Sequence, residues 1–196
     1  MHNDSIKASL EEAQSVLTAF LEQTHVLQTL ETVATQVAEA FDAGNKLIIC
    51  GNGGSACDAM HCAEEFTGRF KKDRQALPAI ALTDSGYLTC VANDYGYDHV
   101  FQRGVEAYGK EGDIFVGLTT SGHSKNIIKA TQEAKRRKLI TLVLSGKDGG
   151  DIRDIADYDI IVPSNATARI QEIHMLVLHA LIEQVEHLLF PDLYKG

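Results

Sequence analysis

Residues 48–69 read "IICGNGGSACDAMHCAEEFTGR". An apolar run passes through a cluster of glycines into a stretch that carries Asp58, His61, Glu64 and Glu65 at helical spacing. His61 and Glu65 are four residues apart, so a helix places them on one face, about one turn from each other. Cys57 stands one turn earlier on the same line. An imidazole and a carboxylate set this way can hold a divalent cation. They can equally work as a general base beside a polarising group, or form an ordinary pair on an exposed helix. This stretch alone leaves all three readings open.

A second set lies near the end of the chain, in "TARIQEIHMLVLHALIEQVEHLL". Gln171, His174 and His179 interrupt an otherwise apolar helical pattern. Gln171 and His179 are eight apart, two turns plus about 80°, so they can border one surface. His174 lies about 140° from His179 and acts separately. His99, His123 and His187 have no such setting and read as surface or loop residues.

Two loops complete the chemistry. Gly51-Asn52-Gly53-Gly54-Ser55 follows the first apolar run, and Thr119-Thr120-Ser121-Gly122-His123-Ser124 follows another. In the second loop, four hydroxyls surround a glycine where a helix begins. The unpaired N–H groups of a helix N-terminus attract an anion, and hydroxyls add donors, which suits a terminal phosphate monoester. A single Ser at the helix N-cap is the simpler alternative. The first loop nearly meets the dinucleotide fingerprint through Gly51, Gly53 and Ala56. Its acidic partner is expected roughly 20 residues on, whereas Asp84 arrives later, and no P-loop pattern is present.

The elements that must position these residues follow from periodicity. Residues 5–24 and 26–41 carry apolar side chains at steps of three and four, predicting two amphipathic helices. From residue 46 the chain alternates. Runs at 46–50, 79–82, 113–118, 139–145 and 158–162 are apolar without polar alternation, as in strands buried on both faces of a parallel sheet. Helical patterns fall at 56–68, 85–92, 98–108, 124–137, 150–156 and 167–189. This predicts an α/β fold, a doubly wound five-stranded parallel sheet preceded by a helical pair. One domain over 1–196 is expected, with 1–44 as the helical pair and 45–196 as the α/β core including the long last helix.

Composition narrows the function. At 44% hydrophobic and 23% charged, the chain can build an ordinary globular core. Its formal net charge of -9 argues against a general nucleic-acid grip. The basic run "KRRK" at 135–138 reads as the solvated end of a helix. Nothing resembles a secretory signal, and no apolar stretch is long enough to span a bilayer. The four cysteines contain no C-x-x-C pair, and three sit in or beside apolar segments, consistent with a reduced, cytoplasmic protein.

Taken together, "CGNGGSACDAMHCAEEFTGR", "ANDYGYD", "TTSGHSKN", "GKDGG" and "RIQEIHMLVLH" resemble the phosphoheptose (sedoheptulose 7-phosphate) isomerase family of the sugar-isomerase (SIS) domain superfamily. The resemblance covers nearly the whole chain and implies a flavodoxin-like SIS domain. It further implies a homotetramer with active sites formed between subunits. The implied reaction interconverts sedoheptulose 7-phosphate and D-glycero-D-manno-heptose 7-phosphate on the route to ADP-heptose and the lipopolysaccharide core. By the same resemblance, Ser55, Thr119, Thr120, Ser121 and Ser124 hold the phosphate and its neighbouring hydroxyls. Asn52, Gly53, Gly54, Arg69, Asn93 and Asp94 line the sugar, together with Glu65 and Gln171. Glu65 and His179 form the catalytic pair. Zinc, one per subunit, takes His61, Glu65, Gln171 and His179, and no nucleotide cofactor is implied. Gln171 and His179 are expected to reach Glu65 from another subunit. Two positions depart from the family pattern: Ala168 replaces an acid before Arg169, and His123 stands where Asn is common.

The chemistry agrees with these residue types. A ketose becomes an aldose when a base moves a proton between adjacent carbons while a second group shuttles protons between the oxygens through an enediol. Three readings compete. One is a non-catalytic tetramer of this fold that binds the replication initiator; it has a similar "LFP" tail but lacks the Glu and His of the catalytic pair. The others are a dinucleotide-dependent oxidoreductase and a sugar-phosphate sensor without chemistry. Glu65 and His179 favour the isomerase.

Overall fold

The computed structural model describes residues 2–195. Two helices, α1 (His2–Leu21) and α2 (Thr24–Asp42), lead into β1 (Leu47–Gly51) and α3 (Gly54–Thr67). There follow β2 (Ala79–Ala81), α4 (Ser85–Tyr95), α5 (Val100–Tyr108), β3 (Ile114–Leu118), α6 (Lys125–Arg136), β4 (Ile140–Gly146), β5 (Tyr158–Val162) and α7 (Thr167–Leu189). Short 3-10 turns occupy Tyr97–His99, Gly150–Ile152 and Pro191–Tyr194.

The strands pair in parallel in the order β2-β1-β3-β4-β5. As the unbroken apolar runs predict, β1 and β3 are buried at every residue. Alternate side chains serve opposite layers. Leu47 and Ile49 pack with Val33 and Val37 of α2, Phe66 of α3 and Leu178 of α7. Ile48 and Cys50 pack with Val91 of α4, Phe101 of α5 and Ile127 of α6. The chain turns in opposite directions along the sheet after β1 and after β2, so the order reverses between β1 and β3. Crevices at such a switch point, outside the carboxyl ends of the strands, are where ligands bind in open α/β sheets. The two chemically loaded loops, after β1 and after β3, meet there.

One predicted helix is not formed. Residues 150–156 contain only the turn Gly150–Ile152, because Gly149, Gly150 and Asp154 have φ of 91°, 57° and 62°, which interrupts right-handed helix. Asp84 and the basic run both serve helices. Asp84 accepts a hydrogen bond from the Tyr87 N–H at 2.7 Å as the N-cap of α4, so its carboxylate serves the helix. Arg136 and Arg137 of the basic run both pair with Glu133 at 2.6 Å. Of the cysteines, Cys50 and Cys62 are buried and Cys57 and Cys90 exposed. α1 is solvent-facing along most of its length, with Ile6 and Leu10 exposed.

Candidate active site

The first loop depends on glycine. A Cβ on Gly51 would lie 2.5 Å from the Ser55 carbonyl oxygen, and Gly53 has a φ of 56° at the N-cap of α3. The loop thereby turns from the sheet into α3 within a few residues and buries Ser55. Asn52 points across to the second loop. Its Nδ2 donates to Asn126 Oδ1 at 3.0 Å, Asn126 Nδ2 donates back to Asn52 Oδ1 at 2.9 Å, and Tyr97 Oη donates to the same oxygen at 2.9 Å.

The second loop gathers its hydroxyls at the start of α6. Ser124 is the N-cap residue, yet its side chain makes no capping bond; its Oγ accepts from Thr119 Oγ1 at 3.2 Å. Thr119 Oγ1 also accepts from the Gly122 N–H, and Ser121 Oγ accepts from the His123 N–H, each at 3.2 Å. Helix capping therefore does not account for these hydroxyls. No acidic residue occupies the first turn of α6 to offset its positive end. Gly122, at φ 72°, fits against the loop after β4; a Cβ there would lie 2.0 Å from the Gly149 oxygen. The arrangement can accept an anion with several oxygens.

The other group forms between α3 and α7. His61 Nε2 lies 3.2 Å from Glu65 Oε1. The His179 ring meets His61 edge-on at 5.1 Å between centroids and stacks on Phe70 at 5.6 Å. One donor atom from each of His61, Glu65 and His179 lies within 4.8 Å of the others. Two imidazoles and a carboxylate at this separation suit a divalent cation such as zinc. Cys57, on the same line of α3, is exposed and outside the group. Nearby, desolvation raises the Asp58 carboxyl above its ordinary value, opposed by the charge of His61, and its Oδ2 is buried without a hydrogen-bond partner.

Within one chain, α7 already brings Gln171 and His179 beside α3, where the expectation had them arriving from another subunit. α3 and α7 lie on the same face of the sheet and run alongside each other. Gly54 at the start of α3 faces Gln171, and His61 farther along faces His179. A Cβ on Gly54 would stand 2.5 Å from Gln171 Nε2, so the bare glycine admits that amide. Gln171 thus sits by the first loop.

The remaining predicted site residues are dispersed. Arg69, Asn93 and Asp94 are exposed. Asn93 donates to Asp94 at 2.8 Å, and among the described residues none of the three hydrogen-bonds to either loop. Thr120 is half-buried at the end of β3. His174 is fully buried on the inner face of α7, its Nε2 3.1 Å from the Ser145 carbonyl, and burial lowers its pKa to about 4. His123 pairs with Asp151 at 2.9 Å, and His187 lies against Tyr194, consistent with surface roles. Half-buried His99 bonds Gln102 at 3.0 Å.

Asn126, Tyr97 and Phe70 belong to these arrangements without having been singled out from sequence. Asn126 and Tyr97 do fall within "TTSGHSKN" and "ANDYGYD", two positions after Ser124 and three after Asp94. The SIS-domain family model matches residues 10–146. The phosphoheptose isomerase of Fusobacterium nucleatum is 52% identical over 91% of this chain and 92% of its own length. That of Vibrio cholerae is 48% identical over 95% and 98%. Among solved structures, phosphoheptose isomerases from Neisseria gonorrhoeae and Francisella tularensis superpose with TM-scores of 0.86 and 0.90, at 36% and 32% identity. Each covers 95% of this chain and 99% of the solved one. The family model ends at β4, but these relatives extend through α7, which carries Gln171 and His179. The chain therefore belongs to the SIS-domain family and, within it, to the phosphoheptose isomerases, enzymes that isomerise a sugar phosphate.

Proposed function

We propose that this isomerase interconverts sedoheptulose 7-phosphate and D-glycero-D-manno-heptose 7-phosphate, supplying the heptose of a lipopolysaccharide core. The observation that carries the reading is the convergence of His61, Glu65 and His179 within 4.8 Å on two helices whose N-terminal ends flank the first loop. The hydroxyls of Ser55, Thr119, Thr120, Ser121 and Ser124, with the N-terminus of α6, hold the phosphate. Binding energy at that remote end orients the open-chain sugar. Asn52, Gly53, Gly54, Arg69, Asn93, Asp94 and Gln171 are assigned to the sugar.

In the ketose-to-aldose direction, Glu65 takes a proton from carbon 1 and returns it to carbon 2. His179 moves a proton between the two oxygens, so the intermediate is an enediol. His61, Glu65, Gln171 and His179 are the proposed zinc ligands; zinc held there would supply positive charge that polarises a carbonyl oxygen, while a ligating carboxylate or imidazole keeps its second oxygen or nitrogen for the proton. The exposed apolar residues Ile6, Leu10, Leu21 and Leu27 of the helical pair suit burial in a homotetramer. No helix among the described residues is long and apolar enough to cross a membrane. We assign the enzyme to the cytoplasm, where sugar phosphates are made.

Proton NMR of sedoheptulose 7-phosphate with the protein in D2O tests the reading. An aldose carrying deuterium at carbon 2 is the expected product. Absence of aldose, with and without added zinc, would overturn the assignment.

A further inference from the structure

A fully buried ion pair lies next to the catalytic group. Arg74 Nε donates to Glu186 Oε1 at 2.8 Å, and both side chains are 0% exposed. Arg74 is not helical; it belongs to the irregular segment between α3 and β2. Its guanidinium distributes the remaining donors over the end of α3. One terminal nitrogen bonds the Glu65 carbonyl at 2.7 Å, and the other bonds the carbonyls of Phe66, Gly68 and Gln75 at 2.6, 3.2 and 3.1 Å. The second Glu186 oxygen accepts from Tyr194 Oη, which the turn after α7 brings back against the helix. Burial, then the hydrogen bond to Glu186, raise the Tyr194 hydroxyl to about 12, keeping it a donor.

These contacts close a ring through the catalytic residues. The last carbonyls of a helix lack partners within it, and α3 has no basic residue in its last turn. Arg74 supplies both donors and positive charge there. Glu186 is seven residues beyond His179, about 10 Å along α7 and within about 20° of the same face. Glu65 is thus tied through its own carbonyl to Arg74, through Arg74 to Glu186, and through two turns of α7 back to His179.

A buried ion pair adds little net stability over apolar packing of the same volume, because desolvating both charges offsets their attraction. Its distinctive contribution is geometry, since a guanidinium fork has fixed directions. Resting on the proposed roles of Glu65 and His179, we infer that Arg74, Glu186 and Tyr194 are positioning residues. They set the spacing between Glu65 on α3 and His179 on α7. The carboxyl-terminal turn is thereby part of the catalytic apparatus through Tyr194.

Arg74→Lys keeps the charge and removes the fork, and Tyr194→Phe removes one hydrogen bond. The test measures steady-state turnover of sedoheptulose 7-phosphate and the imidazole 15N signals of His61, His179 and His123 in chelator-treated protein. Both variants are expected to lower kcat about tenfold or more with KM within about twofold, since displaced supporting groups reduce rate while the phosphate loop is untouched. The His61 and His179 signals are expected to shift while His123, on the exposed loop, keeps its position. If either folded variant keeps wild-type kcat and unshifted His61 and His179 signals, the inference is overturned, whatever happens to its melting temperature. Should Arg74→Lys fail to fold, Tyr194→Phe decides. A wild-type protein inactive on this substrate would overturn the functional reading instead, and the imidazole signals would still decide the positioning role.

Discussion

Asn52 and Asn126, 74 residues apart in the chain, exchange two amide hydrogen bonds of 3.0 and 2.9 Å. Asn126 is buried in the first turn of α6, and its Oδ1 also accepts from the Ile127 N–H at 3.0 Å. The pair locks the glycine loop after β1 to the hydroxyl loop after β3, across the switch point of the sheet. Removing one partner leaves a partly buried amide unsatisfied, a cost of about 1–3 kcal/mol. Asn126→Ala is expected to raise KM for the sugar phosphate about tenfold while lowering kcat less. In an Asn52→Ala background the same change should do much less, because both variants remove one contact. Steady-state kinetics on the four proteins of the cycle check this; additive effects would show that the two loops act separately.

Glu65 and His179 are half-buried, and neither fills the core. Their replacement is therefore expected to affect chemistry more than folding. Glu65→Gln should lower kcat by about 10²–10⁴, the range of a positioned acid–base group, with a urea midpoint close to wild type. His61→Ala should weaken zinc binding by an order of magnitude or more, since it removes one of the clustered donors. Turnover by the wild type should fall on chelation and return with zinc. Calorimetric zinc titration alongside kinetics separates loss of the proton-transfer group from loss of the ion.

His174 makes stability depend on pH. Desolvation lowers its folded pKa from 6.5 to about 4, despite the bond to Ser145, and its Nδ1 is buried without a partner. Between these values the unfolded chain takes up a proton that the folded chain excludes. The stabilisation is therefore complete above about 6.5 and lost as pH falls toward 4. At pH 5 this amounts to about 2 kcal/mol relative to neutral pH. His174→Gln retains a donor for the Ser145 carbonyl without titrating in this range. Urea denaturation at pH 7 and pH 5 should show the wild type losing about 2 kcal/mol more than the variant.

The contrast between what sequence discloses and what it hides has a physical basis. β1, β3 and β4 are legible because strands buried on both faces must be apolar throughout. His61 and Glu65 are legible because helical spacing makes them neighbours before any tertiary fold is known. The Arg74–Glu186 pair spans 112 residues and Asn52–Asn126 spans 74, and no local periodicity brings such residues together. The polar interruptions of an apolar helix pattern singled out Gln171 and His179, and family resemblance supplied their roles, but it left the intersubunit expectation in place. The packing of α7 along α3 then placed both beside α3 of the same chain. The lost helix at 150–156 shows the converse, where left-handed backbone at Gly149, Gly150 and Asp154 overrides composition.

Two glycines of the first loop separate folding from function. A Cβ on Gly51 meets the Ser55 backbone oxygen at 2.5 Å, whereas one on Gly54 meets the tip of the Gln171 side chain at the same distance. Backbone cannot yield without rebuilding the turn, so Gly51→Ala should destabilise the fold by about 2 kcal/mol or more. A side-chain tip can swing away. Gly54 begins α3, where alanine is intrinsically favoured over glycine by up to about 1 kcal/mol, so Gly54→Ala should fold with a midpoint near wild type. Its effect should appear in KM and zinc affinity, through displacement of the Gln171 amide. Adding Gly54→Ala to Gln171→Ala should then change neither quantity further, because the group it displaces is already absent. A further loss of affinity in that double variant would show that Gly54 contributes through its own backbone approach to the substrate, independently of Gln171.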